Sequence, residues 1–193
     1  LRWHYRSQHE DLIVYSNHSF YDGRLISFPG AIHESSEMGV SLFHVEDGVY
    51  RRGTARDNPA EARVVAERVM HWAEWSVAHP DRDVTVGVVA FSEAQASAIE
   101  IELDRRRQER PDLDHYFRED RLDGYFVKNL ENVQGDERDV MIFSVGYGRD
   151  ENGKFTMNFG PLNRSGGKRR LNVAVTRARR RVEVVSSVRA EEF

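Results

Sequence analysis

The sequence predicts an α/β fold built on parallel strands, and three observations carry that prediction. Residues 84–90, Val-Thr-Val-Gly-Val-Val-Ala, form a nearly continuous apolar run of strand length, the pattern of a central strand covered on both faces. Helical periodicity flanks this run on both sides. The same alternation of strand and helix then returns toward the C-terminus, as a layered α/β domain requires.

Taken in order, residues 9–21 predict a helix and residues 40–45 a strand. Asn58 suits a helix N-cap, Pro59 suits the first turn, and Ala62, Val65, Val69, Trp72 and Ala73 recur at helical spacing. That helix, over 58–79, ends at the breaker His79-Pro80-Asp81. After the strand at 84–90, Ser92 and Gln95 form a capping box opening a helix through about Arg110, with Ala96, Ile99 and Leu103 facing inward. Residues 125–127 and 140–145 read as strands, 171–178 as a short helix and 182–188 as the last strand. Residues 148–167, rich in Gly, Asn, Pro and Ser, read as a long exposed loop.

With 193 residues, the chain predicts a single domain spanning 1–193. It opens on Leu1 within sequence that reads as mid-protein, so we expect a fragment of something longer. The absence of cysteine excludes a disulfide framework, a thiolate nucleophile, an iron-sulfur cluster and a Cys-based zinc site, and makes a cytoplasmic setting the expectation. No apolar run approaches membrane-spanning length, so no membrane partner is expected. A net charge of -4 does not support a DNA-coating polycation.

Complete catalytic motifs are missing. There is no G-x-x-x-x-G-K-[ST] phosphate loop, no G-x-G-x-x-G fingerprint, no G-x-S-x-G elbow and no H-E-x-x-H. Gly166-Gly167-Lys168-Arg169 lacks both the first glycine and the final Ser/Thr of a phosphate loop. The eight histidines show no metal-ligand spacing, and no metal site is expected.

Three segments carry the chemistry. The first is His4-Tyr5-Arg6-Ser7, where an aromatic beside an arginine also fits a surface cation-π pair. The second is Gln134-Gly135-Asp136-Glu137-Arg138-Asp139, which alone fits a charged turn before a strand. The third is Arg169-Arg170-Leu171-Asn172-Val173-Ala174-Val175-Thr176-Arg177-Ala178-Arg179. On a helix, Leu171, Ala174, Val175 and Ala178 share one stripe, with Arg170 and Arg177 aligned on its flank. From Arg164 to Arg181 every charge is positive, which points to an anion, and the guanidinium fork suits phosphate oxygens.

These blocks, together with Gly87-Val88-Val89-Ala90-Phe91 and Gln95, occur in an order that resembles the second RecA-like motor domain of superfamily 1 helicases. The branch they resemble contains the RNA-decay helicase Upf and bacterial DNA-helicase-like proteins. The resemblance implies a RecA-like three-layer α/β/α domain with a mainly parallel central sheet. It also implies an ATP site shared with a first RecA-like domain of the same polypeptide. That domain would supply the phosphate loop and the ligands of Mg2+.

Within that resemblance Tyr5 would stack on adenine and Glu137 would hydrogen-bond the ribose. Arg6 and Arg177 would act as arginine fingers on the γ-phosphate. Gln134 and Gly135 would lie between the nucleotide and nucleic-acid sites. Ser92 and Asn129, the latter where the family commonly has threonine, would contact single-stranded DNA or RNA. The resemblance implies ATPase activity in the longer chain and none in these 193 residues alone. The competing readings are a degenerate lobe that binds nucleic acid or docks a protein without hydrolysis, and an α/β domain whose arginines merely solvate one face.

Overall fold

A computed structural model of the chain describes residues 3–4, 7–27, 37–118, 123–133 and 135–192. Strands β1 (Trp3–His4) and β2 (Ile26–Ser27) pair in parallel as a small separate ladder flanking helix α1 (Asp11–Phe20). The main sheet contains β3 (Gly39–His44), β4 (Val86–Ala90), β5 (Phe126–Asn129), β6 (Arg138–Ser144) and β7 (Ala178–Ser186). Its order is β3-β7-β6-β4-β5 and every pairing is parallel. Three further helices, α2 (Pro59–Ala78), α3 (Glu93–Glu109) and α4 (Gly167–Val175), complete the three layers that the sequence predicts.

Two cores follow from the two-residue period of the strands. Val86 and Val88 of β4, with Val140 and Ile142 of β6, meet Val65, Val69 and Trp72 of α2 and Ile99 and Leu103 of α3. The alternate residues, Val89, Met141 and Phe143, meet Leu12 of α1 and Ala174 of α4 on the opposite face. Burial on both faces is why the 84–90 run lacks polar alternation. Helix α2 begins as expected, with the Asn58 side chain accepting from the Glu61 N–H and Pro59 at its start, and it ends before Pro80.

The structure corrects several boundaries. The expected helix over 171–178 runs instead from Gly167 to Val175, and the last strand begins at Ala178 and closes at Ser186. Gly166, at φ 80°, turns the chain into α4, and a Cβ on Gly167 would collide with the Leu162 carbonyl, so this glycine pair serves an early helix start. The helix ends early because Ala178 is recruited into the sheet opposite Arg138. Thr176 caps it, its hydroxyl donating to the Val173 carbonyl at 3.0 Å. Arg177 therefore sits in the turn. Arg170 does not share a flank with it, because the Arg170 Nη1 donates to the carbonyls of Pro161 and Ser165.

Gln95 is a second correction. The Ser92 hydroxyl does accept from the Gln95 N–H, but the Gln95 side chain does not turn back to complete the box. It is fully buried, accepting from the Asn58 N–H and donating to the Asn58 carbonyl and the Ser144 hydroxyl. A polar side chain in the core is retained by these three partners, which a reciprocal cap would forfeit.

Candidate nucleotide and nucleic-acid interface

Because the strands are parallel, the sheet has an amino-terminal rim and a carboxyl-terminal rim, and the sequence-predicted residues divide between them. At the amino rim, Glu137 precedes β6 and Arg177 precedes β7. The Arg138 N–H donates to the Arg177 carbonyl, which pins the two turns together. The Arg177 Nη1 lies 3.5 Å from one Glu137 carboxylate oxygen, and the Arg179 Nε lies 3.9 Å from the other. These residues are forty positions apart in the chain and are brought together by β6–β7 pairing. Arg177 is 18% exposed and its buried Nε, like those of Arg52 and Arg107, has no hydrogen-bond partner among the described residues.

Gly135 adopts φ 96°, a left-handed backbone that suits glycine, in open space where a Cβ would meet nothing. Beside it Lys128 holds Asp136 at 2.7 Å. The Gln8 N–H donates to the Arg179 carbonyl at 2.7 Å, so the chain just after the Tyr5-Arg6 pair is fastened to the start of β7. Tyr5, Arg6 and Gln134 lie outside the described residues.

The charge pattern around Arg164–Arg181 also needs correction. The segment contains no acid of its own, yet other elements supply them. Glu137 faces Arg177 and Arg179, Glu37 lies 3.6 Å from Arg180, and Glu183 accepts from Arg181 at 2.9 Å. Glu183 also takes a bidentate contact from Arg68 and one from the Trp72 indole, which makes that part of the run structural. Lys168 and Arg169, in the first turn of α4, remain exposed.

At the carboxyl rim stand Ser92 and Asn129, immediately after β4 and at the end of β5. Both are already engaged. The Ser92 hydroxyl caps α3, while the Asn129 side-chain carbonyl accepts from the N–H groups of Glu131 and Asn132 and its amide donates to Glu93. Next to them lies a buried carboxylate that sequence reasoning missed. Glu61 is fully buried and accepts from the N–H groups of Gly146 and Ser187 and the hydroxyls of Ser144 and Ser187. Burial pushes its carboxyl up to about 7, against the lowering effect of those donors. Its place three residues after the Asn58 N-cap disguises it as an ordinary capping glutamate.

Open to solvent on the same rim is a cleft of about 650 Å³, walled by residues 50–56, the start of α3 and the 147–164 loop. The sequence marks 148–167 as exposed, but nothing in it joins that loop to residues 50–56. Among the described residues no group of three or more His, Cys, Asp or Glu could hold a metal ion, and no helix is long and apolar enough to cross a membrane.

Residues 1–189 match the AAA domain family. The whole chain is similar to an uncharacterized ATP-dependent helicase, MG140, of Mycoplasma genitalium, at 39% identity over 202 residues. It is also similar to the homolog of that protein in Mycoplasma pneumoniae, at 37% over 200 residues. The chain spans 16% of the length of each. A solved C-terminal domain of a possible DNA helicase from Lactobacillus plantarum aligns at a TM-score of 0.47 and 14% identity, covering 94% of this chain and 86% of that one. The family match runs through the segments that carry Glu137 and Arg177, and the chain belongs to the AAA domain family.

Proposed function

We propose that the chain is the second motor lobe of an ATP-dependent helicase of superfamily 1, acting inside the cell on single-stranded DNA or RNA. The observation that carries this reading is the amino rim, where β6–β7 pairing brings Glu137 and Arg177 together from forty positions apart. ATP with Mg2+, bound on a first lobe that supplies the phosphate loop and the metal ligands, would bring the triphosphate to this rim. Its residues fit such a guest, since an arginine held beside a carboxylate can exchange that partner for phosphate oxygens.

In this reading Glu137 orients the ribose and Tyr5 stacks on the base. Arg6 and Arg177 neutralise charge developing on the transferred phosphoryl group. Gln134 and Gly135 form the backbone link toward the strand site, where Ser92 and Asn129 stand. Arg177 reaches the nucleotide when the two lobes close, so closure and turnover are coupled.

The test is the longer protein carrying Arg177→Ala or Arg177→Lys. We expect kcat to fall by roughly 10³-fold or more in both, with nucleotide affinity far less affected, because lysine cannot reproduce the planar fork. Unchanged kcat would favour the non-hydrolysing docking lobe. The 193-residue chain alone should show no ATPase activity, and turnover by it would overturn the shared site.

A further inference from the structure

The cleft on the carboxyl rim has a composition that the nucleotide reading does not use. Tyr50 and Tyr147 line it with ring centroids 5.2 Å apart and planes tilted by 52°, and both rings remain partly exposed. Tyr147 is braced from behind by Phe159, edge-on at 5.8 Å, and by Gly160, where a Cβ would strike its hydroxyl. Tyr50 is held by its N–H donating to the Arg149 carbonyl at 2.8 Å. The turn that follows is locked by a bidentate contact from Arg51 to the buried Asp57, at 2.7 and 2.6 Å. The aromatic pair is therefore prepositioned.

Three arginines surround it. Arg52 is committed to the fold, donating to Thr156, lying 3.5 Å from Asp150 and holding its guanidinium 5.8 Å from the Tyr50 ring centroid. Arg56 and Arg164 are exposed and form no ion pair among the described residues. Arg56 also adopts φ 59°, a left-handed backbone that costs a non-glycine residue stability and is held by the surrounding turn. Glu93, fastened by Asn129, and Glu131 also line the cleft. A phosphate in the cleft is repelled by these two acids and drawn to Arg56 and Arg164. The cleft lies at the carboxyl ends of parallel strands, where open α/β sheets place ligands, and its volume suits one nucleotide unit.

We propose that this cleft seats one nucleotide of a single strand, its base stacked on Tyr50 and Tyr147 and its flanking phosphates held by Arg56 and Arg164. An aromatic face beside a cation is the repeating need of a base-phosphate chain. The inference rests on the reading that the chain holds single-stranded nucleic acid. It moves the phosphate contacts from Asn129 to the arginine wall.

The test is binding of a fluorescein-labelled oligothymidylate of about 12 nucleotides, and of an all-abasic oligomer of the same length, to the 193-residue chain at low salt. Tyr50→Ala should weaken the oligothymidylate roughly ten-fold or more and leave the abasic strand unchanged, while Tyr50→Phe retains affinity. Arg56→Gly should weaken both strands and lower the salt slope by about one, yet raise the melting temperature because glycine relieves the left-handed strain. Equal losses on both strands from Tyr50→Ala, or unaltered binding in Arg56→Gly, would overturn the seat while leaving strand binding intact. Competition by thymidine monophosphate as effective as by the oligomer would overturn the strand assignment. No binding of either oligomer by the unaltered chain would overturn both this inference and the nucleic-acid reading beneath it.

Discussion

The two rims of the sheet solve different electrostatic problems. At the amino rim one partly exposed carboxylate, Glu137, faces both Arg177 and Arg179 at the edge of hydrogen-bonding distance. Both partners are partly exposed, Arg177 at 18% and Glu137 at 26%. At the carboxyl rim Glu61 has no exposure and is surrounded by donors at 2.7 to 3.2 Å from two loops and a strand end. Its role is to close the ends of β6 and β7 against the start of α2. The contrast teaches that one rim keeps a partly exposed ion pair while the other commits a buried carboxyl to architecture, so substitutions at the two rims should fail in different ways.

The largest expected difference is catalytic, the loss in Arg177→Ala already described, with stability nearly unchanged because a partly exposed ion pair is worth at most about 1 kcal/mol. The reverse pattern is expected for Glu61→Gln, which replaces an acceptor with an amide facing the N–H of Gly146 or Ser187. At low pH, where the parent carries its full stabilisation, it should cost roughly 3 kcal/mol, read as a lowered urea midpoint with unaltered slope.

Glu61 also gives the contrast a pH signature. Its folded-state pKa, about 7, lies above the ordinary carboxylate value of 4.5, so the native state binds the extra proton in between. This contribution is fully present below about 4.5 and is lost as pH rises through 7, a span of roughly 3 kcal/mol. Urea midpoints at about pH 4.5 and about pH 8 should show that loss in the parent chain and not in Glu61→Gln. A parent chain whose midpoint responds no more than the variant's would remove Glu61 as the titrating group.

Next in size is Gly167→Ala, where the added methyl meets the Leu162 backbone and should cost about 2 kcal/mol, measurable as a lower melting temperature. The smallest is Glu137→Gln. It should leave stability within about 1 kcal/mol of the parent while raising the nucleotide KM of the longer protein. Comparing ATP with its 2′,3′-dideoxy analogue would sharpen this, because a ribose contact makes the variant blind to the missing hydroxyls.

The layered fold was legible because its strongest signals are local. The apolar run at 84–90 and the Asn58-Pro59 start of α2 each depend on a few adjacent residues. The α4–β7 boundary was not legible, since Thr176-Arg177-Ala178 has nothing to oppose helix continuation until Arg138 pairs with Ala178 from a distant part of the chain. Gln95 and Glu61 were hidden for a related reason. Each occupies the N3 position of a capping pattern, and the tertiary partners that claim its side chain lie 37 or more positions away. The carboxyl-rim cleft was invisible because it assembles from residues 50–56, 92–94, 131 and 147–164. Of the amino-rim residues, motif order singled out Glu137 and Arg177 as candidates, but their mutual pairing required the β6–β7 register.

Strand β6 is bonded along both edges, to β4 and to β7, and its seven residues span roughly 20 Å from the Glu137 turn to the loop that bears Tyr147. A slip of a single residue would exchange every core-facing side chain for its opposite. The strand therefore behaves as a rod. A displacement at the Arg177 end cannot be taken up by sliding of this strand against its neighbours.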